Sequence, residues 1–223
     1  MAFDFIPLWL TLKLAVITSG ILFIISIPLA YWLSFSKNKL SLVFESLVSL
    51  PLVLPPTVIG FYILILFSPQ HYLGQILESY FNVRVVFTFT GLVIGSVFFS
   101  LPFMVNPIKS GFQNLPSSLS EASYTLGKSR WETLWKVLLP NIKPSLLTGL
   151  VMSFAHTVGE FGVVLMIGGN IPGETKVASI AIFGEAEALN YASANFYSLI
   201  LVISSFFILL LMYILNRKAL RIL

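Results

Sequence analysis

The sequence predicts an all-α integral membrane protein of about five transmembrane helices, with the N-terminus outside and the C-terminus cytoplasmic. Three observations carry this. Hydrophobic residues make up 57% of the 223 and charged residues 10%, with a mean hydropathy of +0.93. Soluble domains run at roughly 45–50% and 25%, so this chain has too little charge to cover a water-facing surface. Five stretches, near 14–33, 47–67, 86–108, 144–167 and 196–215, reach the roughly 20 apolar residues that a helix needs to cross a bilayer. Finally, ten of the thirteen Lys and Arg residues lie on one side of that pattern. Lys37 and Lys39 follow the first stretch, Lys109, Lys128, Arg130, Lys136 and Lys143 lie between the third and fourth, and Arg217, Lys218 and Arg221 follow the fifth. Lys13, Arg84 and Lys176 are left for the other side, and the positive-inside rule then orients the chain.

Each element follows in order. The first stretch is preceded by Asp4 and no basic cluster, and no small-residue cleavage site follows, so it reads as a span and not a removed signal. Pro28 within it kinks the helix without ending it, because the apolar run continues. In the second stretch Pro51, Pro55, Pro56 and Gly60 break or bend the helix. The third and fifth stretches carry no charge, whereas the fourth carries His156 and Glu160. Residues 177–194 are moderately apolar but interrupted by Glu185 and Glu187, which suggests a short external helix or re-entrant segment. The chain has no cysteine, which excludes disulfides, thiolate metal sites and cysteine nucleophiles. Its two histidines exclude polyimidazole metal centres, and the net charge of +4 is spread by topology instead of gathered into a nucleic-acid patch.

The segment 109–143 is the one long patterned loop. Ser118 and Glu121 have capping-box spacing, and Gly127 is the residue type that ends a helix in the left-handed region. Ser129 and Glu132 repeat the box. The helix that follows shows Trp131, Leu134, Trp135 and Leu138 at one-face spacing, a Glu132–Lys136 pair on the wet side, and Pro140 as a stop. The expected product is a compact helix–Gly–helix knob at the membrane face, its apolar stripe against the spans. Small residues at Ala122, Ser123 and Gly127 permit close backbone approach by a partner.

These residues also carry a resemblance. Glu121-Ala122-Ser123, Gly127 and Val137-Leu138-Leu139-Pro140 resemble the EAA motif of ABC importer permeases: EAA, three residues, Gly, nine residues, I-x-L-P. Ser123 in place of Ala and Val137 in place of Ile are mild departures. The resemblance implies a type I, MetI-like permease architecture in a single domain over 1–223, multi-pass in the bacterial inner membrane. It implies that Glu121, Ala122, Gly127, Leu139 and Pro140 couple this chain to a cytoplasmic ABC ATPase dimer, on which ATP and Mg bind. A second identical copy and a periplasmic binding protein are the other implied partners. Ala155 to Gly162 (AHTVGEFG), Gly168 to Thr175 (GGNIPGET) and Leu50 to Tyr62 (LPLVLPPTVIGFY) are similar to the molybdate branch of these permeases. They imply molybdate as the cargo, with sulfate, thiosulfate or tungstate as the alternative within the class.

Candidates for the path or gate come from the same stretches: Pro55, Pro56, Thr57, Gly60, His156, Gly159, Glu160, Gly162 and Asn170. Freed backbone at the prolines suits a water-filled path or a kink that merely packs. The glycines suit a hinge or a close helix crossing. Glu160 has His156 as its i−4 neighbour, so the two read either as a gate pair or as a carboxylate satisfied by amides and water. Since molybdate is a dianion, Glu160 is expected to point away from the path or to be neutralised.

Other classes find little support. Gly127-Lys128-Ser129 echoes the end of a phosphate-binding loop, but Ala122 stands where that loop needs glycine, so no cofactor is expected on this chain. His156 and Glu160 alone are too few ligands for a metal. A membrane enzyme would need a catalytic grouping that the sequence lacks. A secondary anion transporter would show more intramembrane ionisable groups and an internal repeat.

Overall fold

Backbone amides inside hydrocarbon must be paired within their own segment, which leaves helices as the simple solution for apolar runs. The computed structural model describes residues 4–220, with side chains through Ile214, and the described residues form helices and loops without a strand. Arg221 lies outside the described residues, as do the side chains of Arg217 and Lys218.

Three helices are long and apolar enough to cross a membrane unbroken: α1 (Ile6–Phe35), α5 (Phe89–Gln113) and α12 (Tyr191–Leu220), the last apolar enough over Tyr191–Ile214. Pro28 sits inside α1, and Pro102 and Pro107 inside α5, without ending either helix. Two further spans are bent pairs, which brings the total to as many as five. The second expected span, 47–67, is interrupted where its prolines predicted. The helix α2 (Lys39–Ser49) and a short 3-10 turn at Leu50–Leu52 meet α3 (Pro56–Phe67) at 113°. Pro55 and Pro56 supply no amide hydrogen, and α3 restarts with Pro56 in its first turn, where none is needed.

The fourth expected span, 144–167, is not one helix. It divides into α9 (Lys143–Gly159) and α10 (Gly162–Gly168), with Glu160 extended at ψ 137° between them. Gly159 at the end of α9 and Gly162 at the start of α10 weaken helix continuity here, since glycine favours chain ends over helix interiors. The interruption at 177–194 resolves into the ten-residue helix α11 (Ala178–Glu187), and a further helix, α4 (Tyr72–Phe81), fills the connection before α5.

α5 is the centre of the fold, packed against α1, α9 and α10, while α12 lies against α9 and α11. The described residues form two cores. Leu10 and Leu14 of α1 meet Leu92, Val164, Ile167 and Ile180 in one. Leu22, Ile27 and Leu33 of α1 meet Met104, Ile108 and Phe112 of α5 in the other, together with Leu134, Leu138 and Leu139 of the knob. α12 stands apart: only 11% of its most apolar window is buried, against 50% and 56% for α1 and α5. Phe206 and Phe207 are each 61% exposed on it. Such a face suits lipid or a second copy of the chain and not water.

Candidate functional site

The knob is built by α6 (Ser117–Thr125), α7 (Arg130–Thr133) and α8 (Leu139–Asn141), the last two joined by a widened π turn at Leu134–Leu138. The first capping box is not formed. Pro116 caps α6 in extended conformation with no side-chain bond, so the helix begins ahead of Ser118 and puts that residue inside its first turn. Gly127 does end the turn, at φ +78°. Its N–H donates to the Tyr124 carbonyl at 2.9 Å, and the Lys128 N–H donates to the Ser123 carbonyl at 3.1 Å. This is the Schellman arrangement. A Cβ at Gly127 would meet nothing within 4 Å, so the requirement there is conformational, not steric.

The second capping box forms as expected. Ser129 Oγ accepts from the Glu132 N–H at 3.2 Å, and the Ser129 N–H donates back to Glu132 Oε2 at 3.4 Å. Lys136 and Lys128 both approach Glu132, at 3.1 and 3.6 Å. The Lys136 hydrogen bond, then the Ser129 amide and the Lys128 charge, hold the Glu132 carboxyl below the usual carboxylate range. A group with a depressed folded value stabilises the fold above its ordinary value, and that contribution is lost as the pH falls through the folded one. Amide protection at Glu132 and Thr133 is therefore expected to fall as the pH drops below the usual carboxylate range, and Glu132→Gln is expected to flatten the change. Hydrogen exchange across that range checks this, and unchanged protection contradicts it.

The expected apolar stripe is only half realised. Leu134 and Leu138 are buried at 1% and 2%, but Trp131 and Trp135 remain 65% and 53% exposed, packed edge-on at 6.0 Å. The two rings border an apolar cavity with Phe23, Ile24 and Pro28 of α1, in keeping with the interfacial habit of tryptophan. Nor does Pro140 stop the helix, which runs on to Asn141 and turns by 77° into α9. The π turn immediately before it loosens the backbone where the proline ring would otherwise press on the preceding turn. Of the expected coupling residues, Glu121 and Ala122 are exposed on α6, and Pro140 is exposed too. Leu139 is 7% exposed and lies in the core with α1 and α5. Ser123, beside Ala122, is buried and hydrogen-bonded to Thr133 at 2.8 Å, which ties α6 to α7.

At the break between α9 and α10 the structure gathers six of the path candidates. Pro56, Thr57, His156, Gly159, Glu160 and Gly162 line one cavity of about 570 Å³. Gly162 is in close contact: a Cβ there would come within 2.7 Å of Pro56 Cβ and 3.3 Å of the Thr57 nitrogen. Gly60 is similar, with Met166 Cβ at 2.7 Å and Val163 Cα at 3.1 Å. Both glycines therefore bring α3 and α10 together. Gly159 has nothing within 4 Å and belongs to the break, not to a crossing. Pro55 caps α3 beside this cavity without lining it, and Asn170 is exposed in the following loop, near Gly184.

His156 and Glu160 do not pair. Helical geometry ends at Gly159, so Glu160 leaves the face that i, i+4 spacing would give it. His156 Nδ1 is instead 2.9 Å from Ser100 Oγ, which is also 3.0 Å from Thr157 Oγ1, and the imidazole stacks on Phe103 at 3.9 Å. Glu160 is 4% exposed, and neither carboxyl oxygen has a hydrogen-bond partner among the described residues. Ser96 faces it, with its own hydroxyl unbonded. The Glu160 carbonyl accepts from Ser179 Oγ at 2.6 Å, which fixes the break against α11. The serines were not singled out in the sequence, although Ser96 and Ser100 on α5 and Ser153 and Thr157 on α9 share a one-turn spacing. A double-mutant cycle on stability is expected to give about 1 kcal/mol of coupling for Ser100 with His156 and none for His156 with Glu160. The reverse order would refute this geometry.

Comparison with known proteins fits this architecture. The chain is 41% identical to the "Molybdenum transport system permease protein ModB" of Azotobacter vinelandii, over 94% of this chain and 93% of that protein. It is 34% identical to the putative molybdenum transport system permease protein YvgM of Bacillus subtilis, over 96% and 93%. The "Sulfate transport system permease protein CysT" of Escherichia coli is also 34% identical, over 77% of this chain and 61% of its own length. Among solved structures, an inward-facing MetNI methionine ABC transporter chain superposes with TM-score 0.74 at 17% identity, covering 95% of this chain and 94% of that one. At that identity the likeness establishes the fold. Residues 11–221 match the profile of the binding-protein-dependent transport system inner membrane components, and the chain belongs to that family.

Proposed function

We propose that this chain is the membrane-spanning subunit of a molybdate importer, working as a pair of identical copies. A separate ATPase drives it and a periplasmic binding protein feeds it. The observation that carries the molybdate reading is 41% identity to a molybdenum permease along nearly the whole of both chains. The sulfate permease aligns over a smaller share of each chain, so sulfate is the weaker reading. ATP and Mg bind on the partner, and this chain contributes no catalytic step. The basic residues support placing the knob and C-terminus on the cytoplasmic side and the N-terminus outside.

The mechanism follows from how the knob is joined to the spans. Glu121 and Ala122 are exposed for docking, while Leu134, Leu138 and Leu139 are buried among α1 and α5. Force applied to a capped, packed knob moves the lower halves of those helices, because close-packed interiors transmit displacement and do not absorb it. α5 extends from that core to α10 and the cavity at Glu160, so one rigid element spans from the knob to the candidate gate. The docking face has a direct test. The chain has no cysteine of its own, so Ala122→Cys gives a single attachment point. A thiol-reactive cross-linker placed there is expected to capture the ATPase subunit. Failure to capture it in a complex that still transports would place the docking face elsewhere.

A further inference from the structure

A cavity of about 490 Å³ with several polar side chains in its mainly apolar wall lies between the end of α1 and the knob. Tyr31, Trp32, Phe35 and Ser36 form one wall, and Ser120, Tyr124, Arg130 and Leu138 form the other. Among the described residues no carboxylate lines it. We propose that this cavity holds the anionic headgroup of a phospholipid, clamped between α1 and the knob. The proposal rests on the membrane placement argued above.

Its donors point to an anion. Arg130 is exposed and makes no ion pair among the described residues, because Lys128 and Lys136 already occupy Glu132, the acid nearest in sequence. Its guanidinium offers N–H groups in the planar fork that suits phosphate. The Tyr31 and Tyr124 hydroxyls interact across the cavity, and each carries a hydrogen that it can donate. Ser36 Oγ accepts from the Asn38 N–H, so its own hydrogen is free, whereas Ser120 spends its hydrogen on the Ser117 carbonyl.

The site is also fixed in advance. The Tyr31 ring is wedged by Phe35 at 5.0 Å and Phe112 at 5.7 Å, and Arg130 opens a helix whose capping box is complete. Its rim then favours a lipid over a free ion. Trp32 and Phe35 are 39% and 48% exposed at the end of a 30-residue apolar helix, the level at which aromatic residues meet headgroups. Leu138 adds an apolar side chain on the facing wall. Cationic pockets between helices at this level bind anionic lipid headgroups.

Native mass spectrometry of the detergent-purified permease with its ATPase tests this, with phosphatidylglycerol or phosphatidylcholine as the probe. The wild-type complex is expected to retain phosphatidylglycerol preferentially, and Arg130→Gln to lower that retention about fivefold. Phosphatidylcholine binding and recovery of the ATPase are expected to be unchanged, and millimolar inorganic phosphate is expected not to compete. Unaltered phosphatidylglycerol retention in Arg130→Gln overturns the proposal. Displacement by phosphate overturns it in favour of a free-anion site, and loss of the ATPase from that variant assigns Arg130 to the subunit contact. Retention of neither lipid by the wild-type complex, or of both equally, contradicts this site and leaves the reading as a molybdate permease standing.

Discussion

Replacing Gly127 with valine is expected to leave the chain folded and inserted while lowering ATP-driven uptake at least about tenfold. The backbone at Gly127 sits at φ +78°, where an L side chain costs about 1–2 kcal/mol and a β-branched one more. That strain is relieved by unwinding the turn between α6 and α7, which holds α6, with Glu121 and Ala122 on it, against the π turn at Leu134–Leu138. Because a Cβ at Gly127 meets nothing within 4 Å, the damage is confined to the turn and spares the core. Gly127→Asn is the control, since asparagine tolerates the left-handed region, and it is expected to keep most of the activity. Stimulation of the ATPase by the loaded binding protein separates the cases. Undiminished stimulation in Gly127→Val would show that the turn is not the coupling element.

Two glycines three residues apart are expected to behave in opposite ways. Gly162→Leu drives a side chain into Pro56 Cβ at 2.7 Å and towards the Thr57 backbone, and separating α3 from α10 is expected to cost about 1–3 kcal/mol. Gly159→Ala meets open space and is expected to change stability by less than about 1 kcal/mol, with slight gain from helix propensity in the last turn of α9. Thermal unfolding of the purified chain in detergent reads both. Equal tolerance of the two substitutions would mean that α10 does not pack on α3 as described.

Much of this architecture is legible in the sequence because lipid simplifies the problem. Long uncharged runs mark α1, α5 and α12, and the prolines at 51, 55 and 56 mark the bend before α3. Gly127 and the Ser129–Glu132 box are visible because their chemistry is local. What the sequence conceals depends on contacts between elements. The split at Glu160 looks like continuous apolar helix until Gly159 and Gly162 are seen to have different neighbours. His156 has Glu160 at helical spacing, but its partner is Ser100, 56 residues away. Ser118 has the spacing of a cap, yet Pro116 starts the helix earlier. Trp131 and Trp135 have core spacing, and their exposure reflects the medium around the knob.

The proposed function is that this chain, driven by ATP on a partner, moves molybdate. Proteoliposomes holding the permease with its co-purified ATPase, offered the binding protein with molybdate, tungstate or sulfate in turn, test it most directly. The expected result is uptake of molybdate that requires ATP and the binding protein, with sulfate left outside. Sulfate uptake in its place would move the cargo to the other branch of the family. Uptake that proceeds without ATP would contradict the coupling role assigned to the knob.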